Sequence, residues 1–194
     1  WLACAAAPHG DAGVPAAELL REAAAVPPGA EGLLFFPFVN GAPEHPEASG
    51  TFLGISALHR RGHLTRAVIE GVAQYHRMQL DRVLASGAGI ADRPWRLAGG
   101  GARSEVWAQI FADVLGRPVL RQLTSELGAR GVASLLPEAL GHDRGSWAAG
   151  EDLCVHPGPD REVYLRQAEL FERCLGGMVA PWTEVERYRR AADG

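Results

Sequence analysis

A chain of 194 residues has room for one ordinary domain, and its 47% hydrophobic and 22% charged residues are those of a soluble globular protein. The formal net charge is −4, and the 19 Lys and Arg are scattered, so nothing resembles the basic stripe a nucleic acid requires. No apolar run approaches the roughly 20 residues needed to span a bilayer, and the candidate at 33–39 contains Pro37.

The three cysteines, Cys4, Cys154 and Cys174, form no CxxC pair. An odd, sparse set reads as isolated thiols in a reducing cytoplasm rather than a disulfide framework. The chain opens Trp1-Leu2-Ala3, with neither a Met nor the charged leader of a secretory signal. That start looks like the middle of a helix, and the sequence is expected to begin inside a longer protein.

In chain order, residues 14–26 read as a short Ala-rich helix with Pro15 in its first turn and Pro27-Pro28-Gly29 as its stop. Residues 32–39 form a compact apolar run, consistent with a buried strand that ends at Pro37. Gly41, Pro43 and Pro46 make 40–49 a loop, and 51–55 is a short extended piece between glycines. A long helix is expected over 63–85, with Leu64, Val68, Val72, Tyr75 and Val83 on its apolar face and a length of about 33 Å. Residues 95–98 read as a strand running into three glycines, 104–115 as an amphipathic helix closed by Gly116, and 118–123 as a second strand. A third helix is expected over 125–140, loop over 142–158, and a last surface helix over 160–175. Strand, helix, strand, helix in that order argues for a parallel α/β unit.

The segment Leu97-Ala98-Gly99-Gly100-Gly101-Ala102-Arg103-Ser104 carries the strongest chemical signal. A strand that ends in glycines and opens a helix exposes backbone at the carboxyl edge of a sheet. A ligand can lie against that backbone, and the helix N-terminus favours negative charge. A tight turn with no ligand explains the glycines equally well. A dinucleotide fingerprint fits poorly, because Ser104 stands in place of the last glycine and no acidic residue follows the second strand at the required place. His59 and His63 have the spacing of a helical metal pair, but Gly62 intervenes and no third ligand is evident. His63 reads instead as a cap-like residue. Ser56, Ser86 and Ser134 lie outside any G-x-S-x-G elbow. Trp107, Trp147 and Trp182 read as packing residues, and Glu70 as facing a cleft or solvent.

Taken together, four segments resemble one family. Residues 50–70, from Gly50-Thr51-Phe52-Leu53-Gly54-Ile55 to His63-Leu64-Thr65-Arg66-Ala67-Val68-Ile69-Glu70, are similar to the C-terminal signature of the FGGY carbohydrate kinases. Residues 32–41 resemble that family's "GLxFxPYLxG" segment, with Phe38 in place of Tyr. Residues 99–107 resemble its "GGGARSxxW" nucleotide segment, and 126–133 its "ExGAxGAA" helix start.

The resemblance implies an α/β lobe of the actin- and hexokinase-like (ribonuclease H-like) ATPase fold. Residues 1–194 would then be part of the C-terminal domain of a two-lobed enzyme. It implies ATP and Mg²⁺ as cofactors, with Gly99, Gly100, Gly101, Ala102 and Ser104 lining the adenosine- and phosphate-facing wall. The helix from Glu126 would pack beside the nucleotide, and residues 35–41 would lie near the interlobe cleft. The implied reaction is phosphorylation of a sugar hydroxyl in the cytoplasm, with a homodimer among the assemblies left open. Residues 70–84 look more like pentulose kinases than glycerol kinases, so a ketopentose or related polyol is the expected substrate class. The family's phosphate loop and its basic Asp, in a "GxxDQ"-like segment, have no counterpart among these residues, and Asp11 and Asp81 lack that context. No catalytic or metal-binding residue is therefore assigned. A truncated, non-catalytic nucleotide-binding or interaction module remains the alternative. Strands that would pair with 32–39 in the family are not in the sequence, so an exposed apolar sheet edge and self-association are expected there.

Overall fold

The computed structural model describes residues 14–87, 95–122 and 152–192. The expected helix over 125–140, the motif at 126–133, Trp147 and Cys4 lie outside them.

Helix α1, Ala16–Ala24, starts at Pro15, whose carbonyl accepts the first helical amides. It stops two residues short of the expected end, ahead of the proline pair. A turn of four consecutive positive-φ residues follows, Gly29, Ala30, Glu31 and Gly32. Two of these are not glycine, and such a conformation persists only where the surroundings over-determine it. Here Ala30 is fully buried, and the Gly29 amide donates to the Glu70 carboxylate at 3.0 Å.

Strand β1, Leu34–Phe36, pairs antiparallel with β2, Thr51–Leu53, placing Phe35 opposite Phe52 with ring centroids 4.6 Å apart. β1 is shorter than the apolar run that announces it, because Pro37 ends the ladder. The apolar side chains of this edge are covered, Leu34, Phe35 and Phe36 all being buried, whereas Val39 just beyond it is 53% exposed. The next helix lies against the backbone of β1, so close that a Cβ on Gly71 would stand 2.0 Å from the Phe35 carbonyl oxygen. Phe171 and Trp182 cover Phe36 from another direction, with centroids at 4.9 and 5.9 Å.

That helix, α2, runs Arg61–Ala85 and begins two residues before the expected start. His63 sits in its first turn, where its Nδ1 accepts the Arg60 amide at 3.0 Å, so the cap-like role holds. His59 Nδ1 likewise accepts the Ser56 amide at 2.9 Å. Each imidazole thus has its Nδ1 engaged by backbone, and His63 Nε2 lies 3.3 Å from a Glu31 carboxylate oxygen; among the described residues no group of three or more His, Cys, Asp and Glu gathers to hold a metal. The burial of α2 differs from the expected apolar stripe. Its most buried side chains include Thr65, Arg66, Glu70 and Gln74, while Val83 is 43% exposed. Polar groups tolerate such burial only when hydrogen-bonded.

They are, except for Gln74 Oε1, which has no partner among the described residues. Glu70, expected at a cleft or in solvent, is 1% exposed and does neither. Its Oε1 accepts Arg66 Nε at 2.7 Å and the Tyr164 hydroxyl at 3.0 Å, and its Oε2 accepts Gln167 Nε2 at 2.8 Å. Arg66 also donates to Tyr164 Oη at 2.7 Å and to the Ala23 carbonyl at 3.1 Å, capping the end of α1. Gln74 donates to the Tyr164 carbonyl and to Gln167. Burial, and then the Glu70 charge, push the Tyr164 phenol well above its ordinary value of 10.0.

β3, Trp95–Leu97, runs parallel to β4, Val119–Gln122, with α3, Glu105–Leu115, as the crossover. Gly116, at φ +62°, ends α3 as expected. A strand not anticipated, β5, Asp152–Val155, pairs antiparallel with β4 and falls where loop was expected. Four residues between Gly- and Pro-rich stretches leave too short a pattern to read. The last helix, α4, runs Arg161–Ala192, far beyond the expected end at 175. Gly176, Gly177 and Pro181 look like stop signals, but tertiary anchoring overrides them. Trp182, just past the proline, is buried and donates to Thr51 Oγ1 at 2.8 Å. Among the described residues, no helix is long and apolar enough to cross a membrane.

Two outcomes follow from the buried network. Glu70→Ala leaves the Arg66 guanidinium buried without its counter-charge, and urea unfolding should show a loss of about 3–5 kcal/mol. A loss under about 1 kcal/mol, the range of an exposed pair, would contradict the network's role. The folded chain also holds the Tyr164 proton where the unfolded chain releases it. That share of stability is full below the ordinary phenol value of 10.0 and is lost as pH rises above it. Urea midpoints measured at increasing pH above that value should fall less steeply for Tyr164→Phe than for the unchanged chain, and equal slopes would count against this account.

Candidate functional site

The backbone leaves β3 at its carboxyl end through Gly99, which adopts φ 85° and ψ −160°, a region essentially reserved for glycine. Gly100–Arg103 make one tight 3₁₀ turn, and Ser104 then caps α3, its Oγ accepting the Trp107 amide at 3.3 Å. Nothing stands within 4 Å of where a Cβ would sit on Gly99 or Gly100, so this stretch of backbone faces open space. Gly101 instead rests on the Trp107 ring, 3.4 Å from a would-be Cβ. Trp107 in turn stacks on Phe111 with centroids 5.8 Å apart.

Four of the five sequence-assigned residues, Gly99, Gly100, Gly101 and Ser104, are thus gathered along one turn. Ala102 is placed differently. It is fully buried beneath the turn and serves as its plug, so its side chain does not belong to the open wall.

Beside the turn lies a cavity of about 550 Å³ bounded by Gly100, Gly101, Ser104 and Trp107 on one side. Leu20 of α1, Pro37 and Val39 after β1, and Thr65, Val68 and Val72 of α2 close it opposite. Three separate motif segments of the sequence, 32–41, 50–70 and 99–107, therefore meet around one space. The polar side chains on its wall are engaged locally: Thr65 Oγ1 donates to the Arg61 carbonyl at 3.0 Å, and Ser104 caps α3. A second cavity, of about 650 Å³, opens on the other side of Gly101 and Trp107 towards His76, Leu80 and Trp95. A third, of about 500 Å³, between the end of α2 and α4 around His45, Asp81 and Glu172, is lined by none of the glycine turn.

One residue escaped the sequence reading. Arg121 of β4 is 7% exposed, and its Nε and Nη2 donate to the carbonyls of Ala102 and Arg103 at 2.7 and 2.9 Å. A signal for it existed. Strand alternation puts Arg121 on the same face as the buried Val119, and a guanidinium on a core face calls for a partner.

Chemically, this arrangement offers side-chain-free backbone, a helix N-terminus and an apolar pocket within one space. That combination suits an anionic group joined to a flat apolar one.

A sequence model of the FGGY family of carbohydrate kinases, C-terminal domain, matches residues 3–136. The chain is 33% identical over 158 residues to a xylulose kinase of Staphylococcus epidermidis, covering 80% of this chain and 29% of that protein. It is 35% identical over 185 residues to a gluconokinase of Bacillus licheniformis, covering 89% of this chain and 35% of that one. The crystal structure of xylulose kinase from Rhodospirillum rubrum superposes with a TM-score of 0.77 at 36% identity, over 94% of this chain and 37% of that one. The chain thus spans about a third of the length of these relatives. Its fold is that of the FGGY kinases, and the chain belongs to the FGGY family of carbohydrate kinases.

Proposed function

We propose that this chain is the nucleotide-binding part of an ATP-dependent sugar kinase, with residues 1–194 forming part of its C-terminal domain. The observation that carries the reading is the turn at Gly99–Ser104, which presents open backbone at the carboxyl end of β3 directly beside a cavity. In open α/β sheets that edge is where ligands bind. The α3 N-terminus next to the turn favours the charge of a phosphate, and the apolar wall of Leu20, Val68, Val72 and Trp107 suits a base or ribose.

The reaction would move the γ-phosphoryl group of ATP to a sugar hydroxyl, a ketopentose or related polyol being the class favoured here. The names xylulose kinase and gluconokinase among the relatives support a small sugar or sugar acid as acceptor. Such transfers depend mostly on positioning and charge neutralisation. The part assigned to this chain is to seat and orient the nucleotide. The described residues bring no carboxylate cluster together, so Mg²⁺ would enter on the phosphates it accompanies.

Calorimetric titration of the chain with ADP and Mg²⁺, with NAD as the control ligand, tests the reading. ADP should bind and NAD should not. Gly100→Val puts its side chain into space where no protein atom stands within 4 Å, so the fold should tolerate it while the ligand is displaced. Its ADP affinity should fall by at least roughly tenfold, about 1.4 kcal/mol, with melting little changed. Equal affinity in the variant would place the nucleotide elsewhere, and NAD binding in preference to ADP would overturn the proposal.

A further inference from the structure

Resting on the nucleotide reading above, we infer that Arg121 is a positioning residue for the glycine turn, its guanidinium fork setting the peptide planes that a bound nucleotide meets. The turn needs such a support. Its outer side carries no side chains at Gly99 and Gly100, with nothing within 4 Å of where a Cβ would sit, so its support comes from the Trp107 ring beside Gly101 and from beneath. Beneath it, Ala102 is fully buried, and Arg121 reaches across from the adjacent parallel strand.

The choice of residue points beyond packing. A buried face in a strand is served by an apolar side chain such as Val119, two positions earlier, and a guanidinium there carries a desolvation cost. Among the described residues no strong ion pair offsets that cost: Arg121 Nη1 is 3.7 Å from the Glu105 carboxylate, whose side chain is 90% exposed. What Arg121 does make is a pair of charge-assisted hydrogen bonds from one rigid plane to two successive carbonyls, Ala102 at 2.7 Å and Arg103 at 2.9 Å. C=O and N–H of a trans peptide point in opposite directions. Drawing the Ala102 oxygen towards β4 therefore turns the Arg103 amide away from β4. The Ser104 amide, in the plane of the second carbonyl, is fixed in its bond to the Gly101 oxygen at 3.1 Å. Arg121 thereby sets the last turn before α3, and with it the direction in which the helix N-terminus points. A lysine carries the same charge on a single nitrogen, without the planar fork that holds both carbonyls in one geometry.

The test compares the unchanged chain with Arg121→Met and Arg121→Lys by ADP calorimetry and by amide hydrogen exchange. Arg121→Met should weaken ADP roughly tenfold or more. It should speed exchange at the amides of residues 100–104 while leaving the slowest amides of α3 unchanged, a pattern that general destabilisation does not give. Arg121→Lys should stay nearer to Arg121→Met than to the unchanged chain in both readouts. Should Arg121→Met fail to fold, Arg121→Gln, which keeps a neutral donor, carries the same comparison. ADP affinity unchanged in the variants, or fully restored by Lys, overturns this inference alone. Failure of the unchanged chain to bind ADP overturns the nucleotide reading and this inference with it.

Discussion

The Glu70 carboxylate accepts hydrogen bonds from the Gly29 amide, the Arg66 guanidinium, the Tyr164 hydroxyl and the Gln167 side-chain amide. Those donors come from three stretches of chain: the left-handed turn before β1, helix α2 itself, and helix α4. One group thus sets the relative placement of all three. In a low-dielectric interior each of these bonds is strong, and each donor left without its partner is costly, so only one arrangement satisfies the set. This explains why the face of α2 turned to α4 carries Arg66, Glu70 and Gln74 rather than its valines. A stripe of apolar residues tolerates small slippages along its partner, whereas a carboxylate with four fixed donors does not.

With α2 locked on that side, its other side becomes a stationary wall. Val68 and Val72, each two positions from Glu70 and so on the opposite face of the helix, face the cavity beside the glycine turn. Gly71 lets the β1 backbone approach so closely that the segment just after it, Pro37 to Val39, reaches the same cavity. On the opposite wall the turn itself has little side-chain mass, and its shape is imposed from β4 by Arg121 and from below by Ala102. The site is therefore assembled from rigid elements that contribute surface and from one loop that contributes backbone. Membership of the FGGY family fits this division, since the three segments around the cavity all lie within the residues its model matches.

Much of this was legible in the residues because the local signals and the global fold agree. The Pro15 start, the Gly116 stop of α3 and the parallel pairing of β3 with β4 all follow from periodicity and punctuation. The glycine turn was legible for the same reason: few sequences place three glycines between a strand and a capping Ser. The misreadings share a different cause. Glu70 was ambiguous because its partners Tyr164 and Gln167 lie 94 and 97 positions away, and nothing local announces them. α4 runs on past 175 because the contacts that carry it onward, Trp182 with Thr51, span 131 positions and leave no local mark. β5 is four residues long and depends on β4 for its existence as a strand. Arg121 was readable from strand alternation, but its purpose depends on carbonyls 18 and 19 positions earlier.

The distances just named bear on how the chain reaches this state. The contacts of α1, β1, β2 and α2 with one another close loops of a few tens of residues, whereas α4 brings in Tyr164, Gln167, Phe171 and Trp182 across about a hundred. Without α4 the Glu70 and Arg66 pair and the aromatic face of β1 lack their cover, so these long-range contacts add to the contact order and slow the chain's expected folding. The entropy of closing that loop grows only as the logarithm of its length, about 0.6 kcal/mol for each doubling. The cost of docking α4 is therefore set far more by holding both ends at one carboxylate than by the number of residues between them, and β3, the glycine turn, α3, β4 and β5 are carried within that same span.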